Sequence, residues 1–324
     1  MVKRWTPVLT LFLLAPLAAE FLLGNLPITM LIALISLAPL YGGGALLIRE
    51  VSRRLPLGWT GIALLGLAFA VVQEAFVTGS LFDPRYAAIP MTDYAYLPGL
   101  GVSAWWTVFV LTLHSAWSVC APIAVTEALS DSREPWLGRA GLGVAGALFA
   151  AGIVMSRAFT ASPHQPSTAQ LTGAAVGVAI LIGAAVLLGR RPVPASARSA
   201  PAPLAVGAFT LTTGSLFWAI TLIAGPALAW PTVAVHLVLA VATLVTLRQW
   251  SAGPGWDRRH LLAAAAGGLL TYAWHGFAQP PAVPTPPATD LAGDVLFAAA
   301  TVGMLLAAAV RLSRTRNPAP AQSR

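Results

Sequence analysis

The sequence has few charged residues and almost no cysteine. Only 9% of its 324 residues are charged and 57% are apolar, whereas roughly a quarter of a soluble domain is charged. A soluble fold cannot hide that much apolar surface, but a bilayer solvates the outward faces of helices. The single cysteine, Cys120, lies inside an apolar stretch. It excludes an intrachain disulfide and favours a buried structural thiol.

Several catalytic and nucleotide-binding motifs are also absent from the sequence. It has no Walker A loop, no nucleotide-binding glycine pattern, no GxSxG, no CxxC and no HExxH. These absences argue against ATP-driven transport by this chain alone, and the sequence predicts no cofactor.

The few cationic residues follow a regular pattern. All of the 19 Lys and Arg residues except Arg85 and Arg157 precede the first apolar stretch, follow the last one or occupy alternate gaps between stretches. Positive charge near short membrane loops stays in the cytoplasm, so both termini are predicted to be cytoplasmic. The net charge of +8 is dispersed over these short segments, and we therefore interpret it as an orientation signal and predict no nucleic-acid partner. A single Lys beside abundant Arg, Ala and Gly is typical of a GC-rich bacterial genome, which favours a bacterial plasma membrane.

Apolar runs long enough to cross a bilayer recur along the chain. They predict an all-α fold, a polytopic transmembrane helical bundle that forms one integral membrane domain over 1–324. Residues 312–324 are predicted to form a disordered cytoplasmic tail. The N-terminal run resembles a signal peptide, but its apolar residues continue to Gly24, so we interpret it as an uncleaved first helix. The ten predicted spans are 6–24, 26–48, 57–80, 104–127, 140–156, 169–189, 203–225, 227–247, 260–277 and 291–310.

Ionisable side chains inside predicted spans are the first candidates for function, because each is costly to place in a membrane. In the predicted topology they all lie in the outer half of the bilayer or near its midplane. Near the inner ends of the spans, Arg49 and Glu50 are predicted to form a local anchor pair, and Tyr41 precedes three glycines that allow close backbone approach. The in-span candidates are Glu20, Glu74, His114, His236, His275 and Asp294.

Glu74 and His114 form the most informative pair, since they lie on consecutive predicted helices. Thr78 shares the helix face of Glu74, and Ser118 shares that of His114, at i, i+4 spacing. Two polar stripes of this kind favour facing each other over facing lipid, and Gln73 could hold the carboxylate. Away from water, a Glu–His pair can exchange a proton near neutral pH.

Three interpretations of this pair remain open. It could be an interhelical hydrogen bond without chemistry, or a proton-handling or hydrolytic site. It could also be a metal site if His275 joins it, since two His and one Glu can bind catalytic zinc. Glu20 and Asp294 fit an interfacial position, and His236 fits a core position. Stripes of small residues at Gly143 and Gly173 predict helix contacts.

Two families share features with this chain. Residues 41–49, 73–86 and 113–118 (YGGGALLIR, QEAFVTGSLFDPRY and LHSAWS) resemble uncharacterised actinobacterial multispan membrane proteins over about the first 140 residues. A glutamate followed one helix later by a histidine resembles part of the CAAX-protease and bacteriocin-processing family of intramembrane proteases. That family has EExxxR, FxxxH and HxxxN or HxxxD; here Gln73 precedes Glu74, Thr78 replaces the arginine, and no later histidine completes the pattern. None of its catalytic roles is therefore carried over.

The sequence favours a membrane-embedded hydrolase whose outward-facing site is built on Glu74 and His114, with His275 and Glu20 nearby. In that hypothesis Glu74 activates water, His114 donates a proton, and the substrate is a lipid-linked molecule or an outer-leaflet peptide. One alternative is a proton-coupled transporter of a small or amphipathic solute, since the length and ten predicted spans of the chain are similar to those of drug/metabolite exporters. The other is a scaffold without chemistry. The lipid bilayer is the one partner that the sequence identifies.

Overall fold

The computed structural model describes residues 2–130, 132–160, 162 and 164–314, and this part of the chain forms ten long helices. A hairpin of two short antiparallel strands, β1 (Tyr96–Leu97) and β2 (Val102–Ser103), lies between the third and fourth helices and pairs Tyr96 with Ser103. The helices are α1 (Val2–Pro16, continued by Leu17–Leu22), α2 (Ile28–Arg54), α3 (Gly58–Val77), α4 (Ala104–Leu129), α5 (Arg139–Thr160), α6 (Thr168–Gly189), α7 (Pro203–Ile223), α8 (Pro226–Ser251), α9 (Arg258–His275) and α10 (Pro287–Arg314).

Each predicted span coincides with one of these helices, which confirms the all-α multispan fold. Helix α2 extends six residues beyond its predicted end at 48, because Arg and Glu are good helix formers and the first proline after Tyr41 is Pro56. Helix α10 extends to Arg314 and so includes the first residues of the predicted tail. The rest of that tail, 315–324, lies outside the described residues.

Nine of the ten helices are long and apolar enough to cross a membrane by themselves, and α9 is the exception within the described chain. It begins with two arginines and is rich in Ala and Gly. Helix α9 is largely buried against α7, α4 and α10. At Gly267 an added Cβ would lie 2.1 Å from Thr210 Oγ1, so α9 and α7 are in close backbone contact. Protein neighbours replace lipid around α9, and its low hydropathy is therefore tolerated.

The connections after α2, α4, α6 and α8 meet at one end of the bundle, which we call the arginine end. Arg54 Nη2 donates to Leu137 O over 2.6 Å, and Arg258 Nε donates to Ala128 O over 2.9 Å. The connections after α1, α3, α5 and α9 meet at the opposite end, which we call the loop end. There Ser162 N donates to Thr78 O over 2.8 Å. The alternation of charge along the sequence thus becomes a difference between the two ends of the fold.

Helices α1–α4 each contain a π-helical segment, in which backbone hydrogen bonds join residues five apart instead of the four of an α-helix. Such segments are rare and are frequent at functional sites. The four segments are Leu17–Leu22 in α1, Ala38–Gly42 in α2, Val72–Val77 in α3 and His114–Cys120 in α4.

The predicted helix contacts at the small-residue stripes were wrong. An added Cβ at Gly143 or Gly173 would meet nothing within 4 Å among the described residues. Close approach occurs at other glycines: an added Cβ would lie 2.1 Å from Phe12 O at Gly42 and 2.3 Å from Leu40 N at Gly152. Helices α5 and α6 expose most of their apolar side chains, as lipid-facing helices do. Small-residue spacing shows that a face could approach another helix, but it does not show that the face is buried.

Candidate functional site

The four π-helical segments carry the polar side chains that meet inside the bundle. Glu20 lies in the α1 segment, Tyr41 in the α2 segment, Glu74 in the α3 segment and His114 in the α4 segment. A π-helical turn contains one residue more than an α-helical turn, so the side chains beyond it point from a different face of the helix. We infer that these turns aim the four side chains into the shared interior, where Glu74 is 3% exposed and His114 is 6% exposed.

Glu74 and His114 are in direct contact. His114 Nε2 lies 2.8 Å from Glu74 Oε1. The other carboxylate oxygen, Oε2, accepts hydrogen bonds from Thr78 Oγ1 at 3.1 Å and from the Ser80 hydroxyl. Both oxygens of Glu74 are therefore occupied by protein groups.

A short turn after α3 brings Ser80 back onto Glu74. Helix α3 ends three residues before its predicted boundary at 80, because Gly79 adopts φ +76, a left-handed conformation that favours glycine. Trp106 Nε1 at the start of α4 then donates to Ser80 Oγ over 3.0 Å. The sequence analysis did not identify Ser80 or Trp106 as site residues. Gly79 followed by Ser80, soon after Glu74, could have predicted a turn that places the serine near the carboxylate.

The second nitrogen of His114 is also paired. Nδ1 lies 3.1 Å from Ser118 Oγ. A hydroxyl can both donate and accept, so Ser118 can serve the neutral imidazole as donor and the imidazolium as acceptor. The rings of Tyr41 and Phe69 flank the imidazole, with centroids 5.8 Å and 6.2 Å away. His114 can therefore hold one or two protons without losing a hydrogen bond.

A second carboxylate lies beside this pair. Glu20 accepts 2.6 Å hydrogen bonds from Tyr41 at Oε1 and from Asn25 at Oε2. Gln73, which was expected to hold the carboxylate of Glu74, instead donates from Nε2 to the Tyr41 hydroxyl over 3.3 Å. The buried Gln73 Oε1 has no partner among the described residues. Tyr41 thus joins Glu20 to the helix that carries Glu74.

The connection between α3 and α4 covers the site at the loop end. Tyr86 in this connection packs on Trp106, with ring centroids 5.6 Å apart. Burial and the nearby carboxylates of Glu74 and Glu20 raise the pKa of Tyr86 well above its ordinary range. The polar cluster is therefore closed from the loop end in this conformation.

The other candidate residues lie apart from the Glu74–His114 pair. The His275 ring packs on Trp218 at a tilt of 30°, with ring centroids 3.7 Å apart, and its Nε2 lies 3.2 Å from Gln279 Oε1. Among the described residues, no three His, Cys, Asp or Glu side chains come together as metal ligands. Glu74, His114 and His275 therefore do not form the zinc set considered above. His236 bonds Thr221 and is buried, as expected of a core histidine.

A second polar cluster lies at the arginine end, and the sequence analysis identified only its Arg49–Glu50 pair. Arg49 Nη1 bonds Glu50 Oε1 at 2.7 Å, and Arg49 Nε bonds Glu127 Oε1 at 3.0 Å. Arg53 bonds the same Glu127 carboxylate, and the Arg49 guanidinium lies 3.5 Å above the Trp136 ring. Arg49 and Glu50 are 0% exposed and Glu127 is 1% exposed. The predicted local pair is thus part of a buried ion network between α2 and α4. Glu127 is an acidic residue at the last position of a predicted span, and it could have indicated this network from the sequence.

The fold and the site together define a polytopic α-helical membrane protein with a buried acid–imidazole pair in its interior. The chain belongs to an uncharacterised membrane protein family, whose model matches residues 9–318. Neither the comparison with curated proteins nor that with solved structures gave a match. The family confirms the resemblance to uncharacterised multispan membrane proteins, whereas the partial likeness to the CAAX-protease family is not confirmed.

Proposed function

We propose that this chain is a proton-coupled membrane transporter in which the Glu74–His114 pair carries the proton. The observation that carries the proposal is the closed contact of these side chains, 2.8 Å apart on π-helical segments of α3 and α4. Transporters bind solutes and coupling ions where membrane helices depart from regular geometry. They also pass through closed states in which the site reaches neither side.

Charge explains why this pair suits a proton carrier. Ionised Glu74 beside neutral His114 has a net charge of −1, and one added proton makes the pair neutral wherever the proton resides. A neutral pair costs much less to hold in a low-dielectric interior. Loading one proton thus favours the closed conformation, and losing it favours a conformation that admits water.

A hydrolase is the second candidate, supported by the Ser80 and Ser118 hydroxyls that contact the pair. In that mechanism Glu74 would activate water and His114 would protonate the leaving group. The geometry gives it less support, because both oxygens of Glu74 already contact protein groups, namely His114, Thr78 and Ser80. A hydrolase forms product in detergent without a gradient, whereas a transporter moves solute and forms no product.

Replacing Glu74 with glutamine tests the proposal. We expect Glu74→Gln to reduce solute-driven proton movement to the level of empty vesicles, because an amide cannot take up the proton. The measurement uses proteoliposomes loaded with a pH-sensitive dye and challenged with a panel of small and amphipathic solutes. Asp294→Asn is the matched control, since Asp294 is a half-buried carboxylate on α10 outside the cluster. Solute-driven proton movement that persists unchanged in Glu74→Gln would reject the proposal.

The proposed orientation places the arginine end in the cytoplasm and the loop end outside, because cationic loops are retained inside. A phosphatase reporter that is active only outside the cytoplasm should be active when fused after Pro284, between α9 and α10. The same reporter should be inactive when fused after Ala195, between α6 and α7. The reversed pattern would invert the map and place the Glu74 site near the cytoplasm.

A further inference from the structure

Three buried polar atoms without hydrogen-bond partners among the described residues lie on one group of contacting rings in the second half of the chain. Trp218 Nε1, the Tyr272 hydroxyl and His275 Nδ1 have no partner among the described residues. The Trp218 ring contacts the other two, with centroids 5.9 Å from Tyr272 and 3.7 Å from His275. All three residues are buried, at 4%, 0% and 1% exposure. Buried polar atoms in native proteins are nearly always paired, so this group requires an explanation.

The polarity of the three atoms can be assigned. An indole N–H only donates, and a phenolic hydroxyl can donate. Gln279 Nε2 donates to Pro280 O, so Gln279 Oε1 faces His275 Nε2 and takes the proton of that nitrogen. Neutral His275 therefore has a free lone pair on Nδ1. The group offers two donors and one nitrogen that accepts when neutral and donates when protonated.

We propose that this ring cluster is the solute-binding subsite and that it takes a carboxylic acid with an aromatic or other flat apolar body. Carboxylate oxygens would accept from Trp218 and Tyr272. The acid proton would lie between the ligand and His275 Nδ1, and wherever it resides the ligand and imidazole together remain neutral. The apolar body would pack on rings such as Trp117, which stacks on Tyr272 at an interplanar angle of 2°. A quaternary ammonium ligand could use the rings but would leave both donors unpaired.

The cluster adjoins the proposed proton site, and this inference rests on the proposed function. Helix α9, which carries Tyr272 and His275, packs against the π-helical segment of α1 that carries Glu20. A bare carboxylate is costly to bury in this low-dielectric interior, so an acid that arrives with its proton is favoured. The rings are in contact in this structure, and a ligand would enter by parting them.

Calorimetry with the purified full chain in detergent tests the subsite. The probes are benzoate and, as a matched cation, phenyltrimethylammonium. Benzoate should bind, and Tyr272→Phe and Trp218→Phe should each weaken its binding by about tenfold or more, since each removes one hydrogen-bond donor to the carboxyl group and leaves an aromatic side chain in place. The controls are Tyr96→Phe in the loop hairpin and Trp274→Phe, whose indole is partly exposed and already donates to Ser215 Oγ. Both controls should leave the affinity for benzoate unchanged.

Each other outcome counts against the subsite. Absence of benzoate binding overturns it, and so does an affinity for benzoate that neither Tyr272→Phe nor Trp218→Phe lowers. Tighter binding of the cation overturns the assignment of an acid. Binding in detergent needs no gradient, so this result is independent of the Glu74→Gln flux experiment. Glu74-dependent flux without benzoate binding would reject the subsite alone, and benzoate binding without such flux would reject the transport proposal alone.

Discussion

Glu127→Ala is expected to lower the free energy of unfolding by about 3–5 kcal/mol, the usual effect of removing one partner from a buried ion pair. The Glu127 carboxylate accepts from Arg49 and Arg53, and Arg49 is 0% exposed. Without Glu127, Arg53 loses its carboxylate partner, and the buried Arg49 has to share Glu50 with Arg54. Thermal or denaturant unfolding of the purified protein in detergent measures the loss.

Glu134→Ala is the matched control for that experiment. Glu134 lies seven residues further along the chain, in the connection between α4 and α5, and it is exposed. Its removal should change the free energy of unfolding by less than about 0.5 kcal/mol, as is usual at such surface positions. Equal effects of the two substitutions would show that the buried network contributes nothing particular to stability. A double-mutant cycle that combines Glu127→Ala with Arg53→Ala separates the interaction energy of the Glu127–Arg53 pair from the effect of removing each side chain.

The sequence predicted the helices well, because a spanning helix is a local property. About twenty apolar residues and the charge of the flanking loops are enough to place one. Even α9 was identified, although its own hydropathy is too low, because deleting it would have put the following arginines in the wrong gaps. The orientation of the bundle in the membrane rests on the same charges and stays a prediction.

The site could be predicted only in part, because its members depend on helix geometry that the sequence does not display. Glu74 and His114 were identified as rare ionisable groups on adjacent helices, and their side chains are in contact. Tyr41 was missed as a partner because a π-helical turn moves the side chains that follow it to another face. Ser80 was missed because the turn at Gly79, after the end of α3, brings it back onto Glu74. Regular helix spacing correctly placed Thr78 beside Glu74 and Ser118 beside His114, but it did not predict that Tyr41 would contact Glu20 and Gln73. The catalytic or proton-carrying role of the cluster remains a proposal.

The buried ion network was underestimated for a different reason. Charged residues at the ends of spans are usually interfacial, and Arg49–Glu50 fitted that description. Its burial depends on Glu127 and on backbone groups of the connection after α4: Trp136 N donates to Glu50 Oε1 over 2.8 Å. Contacts between segments that lie 74 to 86 residues apart cannot be inferred from local composition.

Gly42→Ala is expected to destabilise the protein strongly, whereas Gly143→Ala should not. An alanine Cβ at 42 would lie 2.1 Å from Phe12 O and 2.7 Å from Phe12 C. These are backbone atoms of α1, so α1 would have to move away from α2. Overpacking of this kind costs about 1–3 kcal/mol or more. The movement would also separate Tyr41, the residue before Gly42, from Glu20 on α1, and so break their 2.6 Å hydrogen bond.

At Gly143 an added methyl group meets nothing within 4 Å among the described residues. Alanine is the better helix former by about 0.5–1 kcal/mol, so Gly143→Ala should leave the melting temperature unchanged or raise it slightly. The two substitutions are chemically identical and both lie in membrane helices, so opposite shifts in melting temperature would isolate the contact between α1 and α2. Equal shifts would mean that these helices are not in backbone contact at Gly42, and the approach of Glu20 to Tyr41 would lose its structural basis.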